Sequence, residues 1–224
     1  MSDQRDRIQS LLTLAQHPNT PQAEAETALA MASKLMQKHG LSERDIADAA
    51  PVDDTEVVIR RFSVNGLYRV RRQSLLWHIA RLHSCVGYRA FDEGDSCVVV
   101  LYGRDNDITA AYTLFCAADI LGARLLPRGD RSWRTTWWNG FTEGIVEALG
   151  TARSEFINES PGSGLVLADR TKRAQREMRA TAPPLTSGRS YTDTSSGAYS
   201  SGRAAGRGFS TGGRSFTSGV RGEL

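Results

Sequence analysis

The chain has almost no lysine, few cysteines and histidines, and no long apolar run. Of its 28 basic residues only Lys34, Lys38 and Lys172 are lysines, so 25 arginines stand against 25 Asp and Glu at a net charge of +3. The three cysteines, Cys85, Cys97 and Cys116, are odd in number and form no CxxC pair. That argues against a disulfide framework or a structural zinc site and reads as three small buried hydrophobes. The histidines are His17, His39, His78 and His83. His78 and His83 are five apart, which splays them about 140° around a helix, poor geometry for shared metal ligation. No metal and no cofactor is expected. No apolar run approaches the roughly 18 residues of a membrane span. The start, MSDQRDR, is polar and leads straight into a helix, so the expectation is no signal peptide, no membrane partner and a cytoplasmic location.

What is present begins with helix signals. At 224 residues the chain suffices for one sizeable domain or two small ones. Ile8, Leu11, Leu12 and Ala15 recur at helical spacing within 3–16 and make one apolar face. HPNTP breaks that helix, because Pro18 and Pro21 cannot both sit inside it. Thr20 then reads as an N-cap with Pro21 at the first helical position. Ala25, Ala28, Leu29, Ala32, Leu35 and Met36 form the face of a second helix that Gly40 stops. Ser42 and Asp45 make the capping box of a short third helix, with Leu41 stapled to Ile46.

Residues 49–54 read as a linker. Beyond it, 55–64 (TEVVIRRFSV) is β-branched and strand-like, Asn65-Gly66 is a turn, and 69–86 is a helix burying Leu75, Leu76, Ile79 and Leu82. Strands at 87–93 and 96–102 flank the turn Glu93-Gly94-Asp95. Helices follow at 105–126, with Ile108, Tyr112, Phe115, Cys116 and Ile120 apolar, and at 131–158, with Trp137, Phe141, Ile145, Ala148 and Leu149 as the stripe. The expected fold class is α+β: a helical hairpin domain (1–50), a β-α-β-β-α-α domain with helices on one face of a small sheet (55–180), and a disordered Gly/Ser/Arg-rich tail (183–224). LVLADR (165–170) reads as an edge strand or a helix start, and TKRAQREMRA as helix.

The opening pattern RI..LL.LA....NT..EAE.AL..A..LM.KHGL resembles a domain-of-unknown-function family of bacteria and their phages. VVVLYGRDNDI (98–108), WWNGFTEGI (137–145), LVLADR and the Gly/Arg/Ser tail also fit its members. The resemblance implies the helical hairpin and a bacterial or phage setting, in host cytoplasm or a virion, and supplies no catalytic residue.

Chemistry is sparse. Asp105 and Asp107 follow a strand end and offer an Asp-x-Asp pair for a metal, or a helix cap. GSG at 162–164 lacks the Lys-Ser/Thr of a phosphate loop, and no nucleophile–base set stands out. The tryptophans at 133, 137 and 138 read as core, with base stacking as the alternative. The tail holds Arg189, Arg203, Arg207, Arg214 and Arg221 near Tyr191, Tyr199, Phe209 and Phe216, with only Asp193 and Glu223 as acids. It has too little apolar surface to offset the entropy of folding and resembles segments that bind nucleic acid by charge and stacking. The doublets Arg60-Arg61 and Arg71-Arg72 are further phosphate candidates, or a solvated face. Arg forks onto phosphate better than Lys, although a GC-rich coding sequence yields the same excess. The leading expectation is a non-enzymatic accessory protein whose Arg/Gly tail binds DNA or RNA, with a protein partner docking through the hairpin. A virion-associated or other interaction component, and a metal-dependent enzyme with its site near 103–107, are the alternatives.

Overall fold

The computed structural model describes residues 10–11, 13–15, 20–40, 56–91, 96–160, 162–186 and 194–208. Its elements run α1 Gln22–Gly40, β1 Val58–Asn65, α2 Arg69–Leu82, β2 Val86–Phe91, β3 Ser96–Gly103, α3 Asp105–Leu125, α4 Arg131–Glu159, α5 Ser163–Thr181 and α6 Gly197–Arg207. Residues 10–11 and 13–15 are helical as well. The class is α+β, as expected. The third helix after Gly40, the linker and the Glu93-Gly94-Asp95 turn lie outside the described residues.

The strands form one antiparallel sheet in the order β1-β3-β2. The central strand is apolar along nearly its whole length because both of its faces are covered. Val99 and Leu101 join Leu75, Leu76 and Ile79 of α2 and Ile108 and Leu114 of α3 in the main core. Val98, Val100 and Tyr102 face the other way and pack with Ala174 and Met178 of α5. The expectation of helices on one face is thus corrected. LVLADR opens a helix, and that helix caps the second face, since three consecutive valines cannot leave alternate side chains in water without losing about 2 kcal/mol each.

α2 ends at Leu82, four residues before its expected end. Ser84 takes a left-handed conformation (φ 59°), and Val86 pairs with Tyr102. Strand pairing outcompetes helix propensity there. In α3 the buried face runs through Ala111, Leu114, Ala118 and Leu121, and Ile120 is exposed. Length and composition would let α3 cross a membrane; here its apolar face is core. In α4, Asp130 accepts from the Trp133 N–H (2.8 Å) as the N-cap, and Trp137 and Trp138 are core, packed with Phe141 at centroid distances of 5.1 and 5.5 Å.

The apolar face of the hairpin is used within the chain. Ala25, Ala28 and Ala32 of α1, with Ala15 and Leu11 before it, belong to the main core. The Pro21 carbonyl accepts from the N–H groups of Glu24 and Ala25. Thr20 is buried, and its hydroxyl donates to the Leu14 carbonyl (2.7 Å), tying the turn to the preceding helix.

The expected disorder of the tail is corrected for Gly197–Arg207, which is helical and lies on α4. Four glycines explain it. Gly140 and Gly144 on α4 face Gly202 and Gly206 on α6 so closely that a β-carbon at Gly140 would lie 2.0 Å from the Tyr199 carbonyl oxygen, and one at Gly202 2.1 Å from that of Trp137. Small residues four apart let two helix backbones touch, with dispersion contacts and backbone approach in place of large apolar side chains. Ser196 caps α6, accepting from the Tyr199 N–H (3.2 Å). Glu147 of α4 then binds Arg203 (Nε to Oε1, 2.8 Å) and Arg207.

Candidate nucleic-acid interface

The sequence-predicted arginines divide by partner and position. Arg203 and Arg207 hold Glu147, and those bonds lower its pKa. Arg60 pairs with Asp105, and Arg61 is exposed on β1. Arg72 makes a two-point pair with Asp119 (Nε to Oδ1, 2.6 Å) and donates to the Asn65 carbonyl (2.7 Å), so it clamps α2 to α3 and to the β1 turn. Asp119 raises its pKa. Arg189, Arg214 and Arg221 lie outside the described residues. Arg71 lines a cleft between the starts of α2 and α4.

That cleft, of about 560 Å³, is within the ~300–1,000 Å³ range of small-molecule pockets. One wall is the turn into α2, with Leu67, Tyr68, Arg69, Val70 and Arg71. The other is the start of α4, with Gly129, Arg131, Arg134 and Thr135. Two helix N-termini therefore flank it, and each brings arginines where helices usually place acids. α2 has no acid in its first turn and no side-chain cap; its N-cap residue, Tyr68, sits at φ 57°. No carboxylate lines the cleft among the described residues. Arg134 lies over the Tyr68 ring (5.6 Å), and its Nε is buried without a hydrogen-bond partner. Arg69 is close enough to the Cys97 thiol to lower its pKa against the larger, opposing effect of burial.

The positive surface continues along α2. Arg71, Ser74, His78 and Arg81 recur at i, i+3, i+7 and i+10, one helix face spanning about 15 Å. Arg89 reaches it from β2, donating to Ser74 (3.4 Å). Burial and then Arg89 lower the pKa of Arg71. Burial, Arg81 and Arg89 lower that of His78. The charges acting on both are arginines, so among the described residues the row is a positive patch. Trp77 props it, with Arg81 and Arg89 over its ring (4.8 and 5.7 Å) and its indole N–H on the Gly87 carbonyl (2.9 Å). On α5 the exposed Arg173 is paired with Asp169 (2.7 Å).

Asp105 and Asp107 do not cap α3: its N-cap is Arg104, with no side-chain cap bond. Asp107 is buried against Arg170 (3.2 Å). Beside it, the Cys85 thiol is pushed well up by burial and then by Asp107. Arg153 donates to the Leu82 carbonyl and to Ser84 (3.5 Å). His83 is fully buried, its pKa lowered to about 4 by burial and then by Arg153. These groups tie α2, α3, α4 and α5 together. Among the described residues no group of three His, Cys, Asp or Glu is placed to hold a metal ion.

Sequence reading missed Arg131 and Arg134, which are some 60 residues from Arg71 and meet it only through the packing of α2 on α4. The one local signal was an arginine-rich helix start, RSWR, on a helix without acids in its first turn.

Residues 5–43 match the model of a family described as a protein of unknown function (DUF2786). The match covers the hairpin; the cleft and the α2 row lie beyond it. No curated protein and no solved structure matches the chain.

Proposed function

We propose that this is a non-enzymatic, cytoplasmic accessory protein of a bacterium or phage that associates with nucleic acid by gripping the phosphate backbone. One observation carries the reading: Arg71, Arg131 and Arg134 line a cleft that no carboxylate lines among the described residues, and the positive row of α2 extends it. Guanidinium forks suit phosphate oxygens. Positive charge gathered without acids is unfavourable unless water or an anion offsets it. The grip sits on the folded face, with Arg189, Arg214 and Arg221 of the tail as added contacts. Arg72, Arg203 and Arg207 serve the fold.

Fluorescence anisotropy of labelled DNA and RNA at low salt tests this. Arg131 is exposed, so Arg131→Glu should leave folding intact and weaken binding about tenfold or more through lost contact and added repulsion. Absence of binding to either polymer, or equal binding by Arg131→Glu, refutes the reading.

A further inference from the structure

Phosphate recognition alone does not explain the apolar wall of the cleft. Leu67 is 80% exposed and Val70 39% exposed, both on the lip beside the arginines. Between them Tyr68 holds the left-handed conformation at φ 57°, which is uncommon for a residue with a β-carbon. A tight turn into a helix usually exposes polar residues, and a solvated leucine gains nothing for the fold.

We infer that the cleft takes one nucleotide of a single strand, its phosphate on the arginines and its base laid against Leu67 and Val70 at the rim of the Tyr68 ring. This rests on the proposed nucleic-acid reading and adds the form of the polymer. A duplex presents phosphates outward and keeps its bases stacked inside, so it meets the arginines and leaves the leucine wet. A single strand can turn a base out, and every base has an apolar face, so such contact is tolerant of sequence. Charge complementarity fixes the occupant: an apolar wall joined to the guanidinium groups of Arg71, Arg131 and Arg134 fits a unit with one apolar face and one anionic end whose single charge is shared by two oxygens. The α2 row, about 15 Å long, gives the neighbouring phosphates a path toward Arg81 and Arg89.

The test is anisotropy with the full chain and three labelled probes of equal length: a mixed-sequence single strand, an abasic single strand and a duplex. The single strand should bind about tenfold more tightly than the abasic strand and the duplex. Leu67→Ser should remove that preference and leave abasic binding unchanged, and Leu67→Trp should enlarge it. Both changes are at an exposed side chain, and a thermal melt matching the parent verifies folding. Equal binding of all three probes, or no effect of Leu67→Ser on the preference, overturns the base contact. If Arg131→Glu still abolishes binding in that case, the phosphate reading survives alone. No binding of any probe overturns both.

Discussion

Gly144→Ala should loosen α6 from α4 and destabilise the fold, and the same substitution six residues along the same helix should do the opposite. A β-carbon at Gly144 would lie 2.3 Å from the Arg203 carbonyl oxygen, 2.7 Å from the Arg207 nitrogen and 2.8 Å from the Gly206 α-carbon. All three are backbone atoms, so no side chain can swing aside. Restoring ordinary contact near 3.4 Å requires α6 to retreat by about 1 Å, which loosens the Glu147 pairs with Arg203 and Arg207. Overpacking of this kind costs about 1–3 kcal/mol. Gly150, by contrast, has nothing within 4 Å of an added β-carbon. There alanine only removes the entropy cost of a helical glycine and stabilises by about 0.5–1 kcal/mol. The two variants should therefore differ by about 1.5–4 kcal/mol. Urea denaturation followed by circular dichroism measures that difference. Amide hydrogen exchange across 197–207 should rise in Gly144→Ala alone. Equal stabilities, or protection of α6 unchanged in Gly144→Ala, would refute the glycine contact.

Three further outcomes follow from the buried charges and the clamp. His83 is neutral in the fold, with its pKa lowered from 6.5 to about 4; the unfolded chain binds its proton first as pH falls, so stability is full above 6.5 and declines toward 4 by up to roughly 3 kcal/mol. Urea midpoints at several pH values should show this slope, and His83→Gln should flatten it. Asp119→Ala strands the largely buried Arg72 guanidinium and should cost about 1–3 kcal/mol in the same assay. Glu147→Gln should raise hydrogen exchange in α6 while leaving nucleic-acid affinity unchanged, because Arg203 and Arg207 act on the fold.

Legibility in the sequence followed the range of the interactions. The strands and long helices declared themselves because β-branched runs and helical stripes are local patterns. The α5 cover over the sheet was half visible in the fully apolar β3, which requires two covered faces. α6 was not visible, because its packing signal is an absence of side chains: Gly202-Arg-Ala-Ala-Gly206 carries no apolar periodicity and reads as linker unless set beside Gly140-Phe-Thr-Glu-Gly144. Within the candidate site, Arg71 could be found from its doublet. Its neighbour Arg72 was indistinguishable from it until Asp119, 47 residues away, was seen to take its guanidinium. Arg131 and Arg134 needed the tertiary fold.

The salt dependence of binding tests the central claim most directly. If the arginine face neutralises phosphates, log K for a labelled single strand falls linearly with log salt, with a slope of about −0.7 per phosphate engaged. Replacing Arg71 and Arg131 together by Gln should lower the magnitude of that slope by about 1.4, along with affinity at low salt. A slope unchanged in the double variant would contradict the account, because binding would then depend on charges elsewhere in the chain.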